Sequence, residues 1–285
     1  MEETELKNNL ARYKRKISSQ FGEDGILEKI FKTIPDSDRW CVDVGAGNGR
    51  TYSNTWNLIT AKRWSGVLIE CNPVLMDTLR ATHRGNPTVL CIHKEASFES
   101  PDTLDEILPN APVTTGFDLL SVDVDGNDYH LWQAMMLYQP KVVLIEFNPT
   151  IPNDTEFIQP RNLKVKQGSS LLSLTHLAMR KGYELVATTE CNAFFVKREY
   201  FMLFGIRDNS LSAIRKESYQ SRLFQLYDGT LMLSGQRSFL WQPHLDIEQS
   251  DIQVFPRFMW TCPPPKSCIK RFFFRTMRFL HRKIY

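Results

Sequence analysis

Five short apolar runs, four of them holding a carboxylate at or beside their end, constrain this chain more than any other feature. They are Trp40-Cys41-Val42-Asp43-Val44, Gly66-Val67-Leu68-Ile69-Glu70, Thr88-Val89-Leu90-Cys91-Ile92-His93, Phe117-Asp118-Leu119-Leu120-Ser121-Val122-Asp123 and Lys141-Val142-Val143-Leu144-Ile145-Glu146-Phe147. Unbroken apolar runs, as opposed to alternating ones, mark strands buried on both faces, which is the condition of a parallel sheet. Helical stretches between them, such as the one opened by Asn72-Pro73 and continued through Leu75 and Leu79, supply the crossovers. Right-handed crossovers then give a doubly wound α/β fold with a mainly parallel sheet. Tyr183 to Thr189 and Ala193 to Val196, joined by Glu190-Cys191-Asn192, have hairpin spacing and add an antiparallel hairpin strand at one edge.

Two other segments frame this core. Ser19-Gln20-Phe21-Gly22-Glu23-Asp24-Gly25 precedes Ile26, Leu27, Ile30, Phe31 and Ile34 at helical spacing, and Pro35 ends that helix. Between Asn148 and Ser170 runs a polar stretch with Pro149, Pro152, Pro160 and Gly168. It exceeds the usual connection of about 2–6 residues in α/β units and reads as a lid. The helix Leu171–Lys181 follows it.

Length and composition set the limits. With 285 residues, 42% hydrophobic and 24% charged, the chain matches one large domain with an appendage and excludes disordered and fibrous classes. No apolar run approaches the roughly 18–20 residues of a membrane span, and the charged start Met1 to Lys7 is not that of a signal peptide. Six scattered cysteines read as reduced thiols and suggest a cytoplasmic setting, while Cys262 and Cys268 lack the partners of a zinc site. The net charge of +3 hides an asymmetry: from Ile252 onward there are 8 bases and no acid, leaving 27 bases against 32 acids before it. An acidic globule with a basic tail argues against a nucleic-acid-binding core. The expected organisation is a polar extension (1–18), the main domain (19–205), a C-terminal extension packed on it (206–262) and a basic amphipathic tail (263–285). In that tail Arg271, Arg275, Arg278 and Arg282 recur at helical spacing, suited to peripheral contact with an anionic membrane or to docking of its aromatics on the domain.

The strand ends carry the chemistry. Asp43-Val44-Gly45-Ala46-Gly47-Asn48-Gly49 is not the G-x-G-x-x-G of dinucleotide enzymes, and a carboxylate beside the glycine turn repels a pyrophosphate. It suits a ligand with an ammonium group. Glu70, at the end of the second strand, is placed to accept hydrogen bonds from ribose hydroxyls. An amino acid, a ribose and no phosphate describe S-adenosylmethionine, with Asp43, Gly45, Gly47, Asn48, Glu70 and Asp123 as the cofactor-binding set. Asp123-Val124-Asp125-Gly126-Asn127-Asp128-Tyr129-His130 lies at the carboxyl end of the fourth strand, where such folds bind ligands. Asp125, Asp128 and His130 are the catalytic candidates, as general bases toward a hydroxyl. Asp125, Asp128, Glu146 and Asn148 are the candidate oxygen ligands for Mg²⁺. The plainer reading stays open: a turn whose acid caps a helix from Tyr129 to Tyr138.

Taken together, Ser19 to Gly25, Val42 to Gly49, Gly66 to Glu70, Ser121 to Tyr129 and Ile145-Glu146-Phe147-Asn148-Pro149 resemble the FkbM-type family of S-adenosylmethionine-dependent methyltransferases, over roughly residues 17–205. The resemblance implies a Rossmann-like class I methyltransferase sheet and O-methylation of a hydroxyl on a saccharide or small metabolite. The chain departs from the family pattern at Val44 and Asn48, where relatives favour an aromatic residue and an acid. Asn48 loses the charge but keeps a donor and an acceptor. Two alternatives stand beside this reading: a metal-dependent glycosyltransferase using Asp123 and Asp125, and a catalytically silent binding module that keeps the fold.

Overall fold

The computed structural model describes residues 10–35, 37–217, 220–239, 242–253 and the single positions Phe272 and Thr276. Two compact units divide the chain, Met1–Ser218 and Tyr219–Tyr285. Apart from those two positions, the expected basic tail lies outside the described residues, as do residues 1–9 of the polar N-terminal extension.

The first unit is built on one seven-stranded sheet. In chain order its strands are β1 (Trp40–Val44), β2 (Ser65–Glu70), β3 (Val89–His93), β4 (Leu119–Val122), β5 (Val142–Glu146), β6 (Tyr183–Thr188) and β7 (Asn192–Lys197). They lie in the order β3-β2-β1-β4-β5-β7-β6. The pairs β2/β3, β1/β2, β1/β4 and β4/β5 are parallel, and β7 runs antiparallel to both β5 and β6. The five apolar runs are thus the five parallel strands, and the hairpin joins at one edge with its reversed strand next to β5.

Successive side chains leave a strand on opposite faces, so each strand feeds two cores. On one face Val42, Val67, Ile69, Leu120, Val143, Ile145 and Phe195 pack with Trp132, Leu174 and Leu177. On the other, Cys41, Leu68, Leu119, Leu144, Phe194 and Val196 pack with Ile26, Leu27, Ile30, Met76 and Leu79. Helices on both faces explain why the strands read as apolar without alternation. The helix α1 (Glu23–Thr33) buries Ile26, Leu27 and Ile30 along one stripe, carries Glu23 and Asp24 in its first turn and Lys32 in its last, and so complements its own dipole.

The remaining helices of the sheet's connections are α2 (Trp56–Lys62), α3 (Pro73–Thr82), α4 (Leu104–Ile107), α5 (Asp128–Ala134) and α6 (Leu171–Lys181). α5 is shorter than the sequence suggests. It ends at Ala134 because the Asp105 carboxylate accepts the amides of Met136 (2.6 Å) and Leu137 (3.0 Å), drawing the chain out of helical register. The second unit holds two antiparallel pairs, Ser221–Gln225 with Leu231–Gly235 and Ser238–Phe239 with Gln242–Asp246. Among the described residues, no helix is long and apolar enough to cross a membrane.

Candidate functional site

Strand order reverses between β1 and β4, and the crevice beyond the carboxyl ends at such a switch point is where doubly wound folds place ligands. Val44 pairs with Ile69 and Val122, Val122 pairs with Ile145, and Glu146 pairs with Asn192. The next rung therefore reads Glu70, Gly45, Asp123, Glu146, Asn192 across five strands. By alternation the four side chains stand on the α1 face of the sheet. Gly45 sits among them without a side chain. Its φ is +83°, and a Cβ there would stand 1.8 Å from the Asp123 carbonyl oxygen, so only glycine lets β1 close against β4 at this point. Gly47, at φ +58°, faces open space: a Cβ built there meets nothing within 4 Å.

On the β1–β2 side the carboxylates are fixed by close neighbours. Glu70 is buried and accepts the amides of Gly47 (2.8 Å) and Asn72 (2.7 Å), one on each oxygen. Each oxygen keeps a second lone pair. Asp43 accepts the Thr55 hydroxyl at 2.7 Å and a bond from Ser121. Burial still dominates and pushes its carboxyl up to about 6. Asn48 turns into its own loop, accepting the amides of Arg50 and Thr51 and donating to the Thr51 hydroxyl.

The β4–β5 side is crowded with acid. Burial, reinforced by the neighbouring carboxylates, raises Asp123 to about 7 and Glu146 to about 10, and the two are hydrogen-bonded to each other. Asp125, in the left-handed region at φ +58°, is exposed and lies 3.5 Å from Lys166. One oxygen each from Asp123, Asp125 and Glu146 lies within 4.8 Å of the others. Among the described residues, no cationic side chain is ion-paired with Asp43, Glu70, Asp123 or Glu146.

The other expected site residues are placed differently. Asp128 accepts the amides of Val124 and Gly126, both at 2.9 Å, and so braces the loop after β4. Burial raises its carboxyl to about 6. Asn148 donates to the Gln167 carbonyl and accepts from the Thr150 amide and hydroxyl, which engages both ends of its amide. His130 lies on α5, whose neighbours Tyr129, Leu131 and Trp132 belong to the opposite core. Its Nε2 meets the Gln159 carbonyl at 2.8 Å, and its ring lies against Phe98 and Tyr129. The structure thus gathers Asp125 and Glu146 with Asp123, and holds Asp128, His130 and Asn148 in separate contacts.

The polar segment after β5 is tied down at several points. The buried Gln159 side chain donates to the Val165 carbonyl and accepts the Gln167 and Gly168 amides. Arg215, also buried, donates to the carbonyls of Pro149 and Ile151 and to Asn153 Oδ1. Sequence reasoning passes over these residues, and over Thr55, Asn192 and Glu23. Glu23 is fully buried and accepts the Thr189 hydroxyl (2.5 Å) and the Asn192 side-chain amide (3.2 Å), tying α1 to the β6–β7 turn. Its placement within Ser19 to Gly25 is the only sequence signal it carries.

No protein-family model and no curated protein matches the chain. Solved structures do. The N-terminal domain of EvdMO1 with SAH bound is 11% identical, covers 61% of this chain and 80% of its own, and gives a TM-score of 0.40. The citrinin polyketide synthase CMeT domain is 12% identical over 61% of this chain and 50% of its own, with a TM-score of 0.40. The O-methyltransferase NcsB1 from neocarzinostatin biosynthesis, in complex with S-adenosyl-L-homocysteine and 1,4-dihydroxy-2-naphthoic acid, is 17% identical over 56% and 49%, with a TM-score of 0.37. This chain spans about half the length of the last two.

Proposed function

We propose that the chain is an S-adenosylmethionine-dependent methyltransferase acting on a hydroxyl of a saccharide or small metabolite. The observation that carries this is the Glu70 carboxylate. It is locked by the Gly47 and Asn72 amides at the end of β2, with lone pairs left over, beside a glycine turn that opens onto space. A carboxylate held in that way accepts a pair of ribose hydroxyls without reorganising. Asp43 supplies the second recognition element. Buried without a cationic partner, it favours a ligand that brings an ammonium group, which would restore its ionised form. A pyrophosphate ligand meets the opposite: Asp43, Glu70, Asp123 and Glu146 all present negative charge or its precursor.

S-adenosylmethionine, when bound, supplies a methyl group on a sulfonium ready for displacement. The chain's work is then positioning and proton handling. Gly45 lets β1 close against β4, which sets Asp123 beside the glycine turn, and Gly47 leaves the space above that turn open to a ligand. Asp123, raised to about 7 and hydrogen-bonded to Glu146, is poised near neutrality to take the proton of an acceptor hydroxyl. Asp125 extends that acidic wall outward. His130 and Asp128 act from further back, by holding the neighbouring segment and loop.

The convergence of Asp123, Asp125 and Glu146 also fits a cation-dependent glycosyltransferase, in which a nucleotide-sugar diphosphate is held through the metal. The acids at Asp43 and Glu70 flank that position and weigh against it. Calorimetric titration of Glu70→Ala and Asp43→Ala with S-adenosylhomocysteine tests the assignment. Both variants are expected to lose about 100-fold or more in affinity, in keeping with removal of charge-assisted hydrogen bonds from a buried site. Near-normal affinity in both would overturn it.

A further inference from the structure

A cavity of about 180 Å³ lies in the first unit, apart from the rim that carries Glu70 and Asp123. It is lined by Leu10, Arg12 and Tyr13 of the 3₁₀ turn Leu10–Tyr13, by Lys29 and Thr33 one helical turn apart on α1, and by Leu203 and Phe204 of the turn Met202–Phe204. α1 starts at the rim, where Glu23 holds Thr189 and Asn192, and at 1.5 Å per residue Lys29 and Thr33 stand about 9 and 15 Å further along its axis. β7 also runs away from the rim before the chain reaches Leu203, from Asn192 opposite Glu146 to Val196 opposite Val142. The cavity therefore sits toward the amino ends of the parallel strands.

Two cations meet there on one ring. The Arg12 guanidinium lies 4.8 Å and the Lys29 ammonium 5.5 Å from the centroid of Tyr13. The carboxylate next to Lys29 in sequence, Glu28, is taken by Arg15, Lys32 and Lys62, and among the described residues no carboxylate is ion-paired with Lys29. Arg12 donates to the Tyr13 hydroxyl at 2.7 Å, which leaves the phenol its own proton to donate. The same bond holds that phenol below its ordinary value, as expected where positive charge gathers. The Thr33 hydroxyl turns back to the Lys29 carbonyl, and the rest of the lining is apolar, with Leu10 and Phe204 buried.

We propose that this cavity binds a small organic anion, an oxyanion head on a short apolar stem. Arg12, Lys29 and the Tyr13 hydroxyl supply charge-assisted hydrogen bonds to the head, and the anion offsets the repulsion between the two cations. Leu10, Leu203 and Phe204 cover the stem. A concave, largely apolar wall with a few convergent polar groups is the usual make-up of a small-molecule site. Its volume falls below the roughly 300–1,000 Å³ of drug-sized pockets, so the ligand is smaller than a nucleoside cofactor. The proposal stands apart from the methyltransferase reading, since no residue of the rim takes part in it.

Calorimetric titration of the full chain with phenyl phosphate and with butyrate tests the site, with benzyl alcohol as the neutral control. The expected result is saturable binding of at least one anion at millimolar concentration or below, and none of benzyl alcohol. The tighter anion identifies the head as phosphate or carboxylate. Arg12→Gln, at an exposed position where folding is not at stake, and Lys29→Gln should each weaken binding about tenfold. Lys32→Gln removes the same charge from an exposed position of α1 outside the cavity lining, and should change affinity by less than about twofold. No saturable binding of either anion up to tens of millimolar, equal affinity for benzyl alcohol, or equal losses in Lys29→Gln and Lys32→Gln overturns the proposal. S-adenosylhomocysteine titrated into the same samples reports on the rim separately, so failure of either ligand leaves the other assignment standing.

Discussion

The two halves of the sheet's carboxyl rim, on either side of Gly45, solve the problem of buried acid differently. On the β1–β2 side each carboxylate has donors from nearby: Thr55 lies 12 residues from Asp43, and Gly47 and Asn72 lie 23 and 2 residues from Glu70. On the β4–β5 side Asp123 and Glu146 face each other and share a hydrogen bond, and the groups that complete the wall come from a hairpin and from α1. The first half is organised before any ligand arrives. The second holds charge that a proton or a cation must offset.

The sharpest way to break this division is at its boundary. Gly45→Ala places a Cβ 1.8 Å from a backbone oxygen at a φ of +83°, so β1 and β4 must part. A loss of roughly 3 kcal/mol or more is expected in chemical denaturation, comparable with severe overpacking plus strain. The same change at Gly47 meets no atom within 4 Å and is left with the cost of its positive φ alone, about 1 kcal/mol. Similar losses at the two positions would mean that the strands do not close as described.

Asp43 gives the next effect, and burial sets its sign. Its folded-state value of about 6 lies above the ordinary 3.8, so the folded chain binds that proton more tightly than the unfolded one. Stability from this group is therefore full below pH 3.8 and is lost as pH rises through about 6. Asp43→Asn should raise stability at pH 8 by on the order of 1–3 kcal/mol, with the gain vanishing near pH 4 in thermal melts. Affinity for an ammonium-bearing ligand runs the other way, weakening up to about tenfold per unit as pH falls below 6. A melting temperature for Asp43→Asn that is independent of pH would contradict the burial argument.

Glu146 carries the smallest expected effect and sharpens the contrast. Held protonated up to about 10, it is already neutral at pH 7, so Glu146→Gln exchanges one neutral group for another of the same shape. Its stability should stay within about 1 kcal/mol of wild type. A large loss would show that the acid is ionised and paired.

How much of this was legible in the sequence follows the same division. The apolar runs, the glycine turn and the acids at strand ends belong to single elements, so Asp43, Gly45, Glu70 and Asp123 could be read directly. Asn48, Asp128 and Asn148 could be read only as side chains able to reach a ligand; the structure shows each accepting amides within about four residues of itself. Short Asx-type bonds of this kind compete with ligation, and residue identity does not distinguish the two. The partners that complete the β4–β5 half were out of reach for the opposite reason. Glu23 meets Asn192 across 169 residues, and Arg215 meets Pro149 across 66. Only the tertiary packing of elements far apart in the chain brings them together, and no local pattern records it.

On the proposed reading, the β1–β2 half of the rim is a ready-made site for an S-adenosyl ligand. Calorimetric titration of the wild-type chain at pH 8 with S-adenosylhomocysteine, alongside a nucleotide-sugar diphosphate with Mn²⁺, tests it most directly. Saturable, one-to-one binding of S-adenosylhomocysteine in the micromolar range is expected, and none of the nucleotide-sugar. Binding of the nucleotide-sugar alone, or of neither by a folded protein, would contradict it.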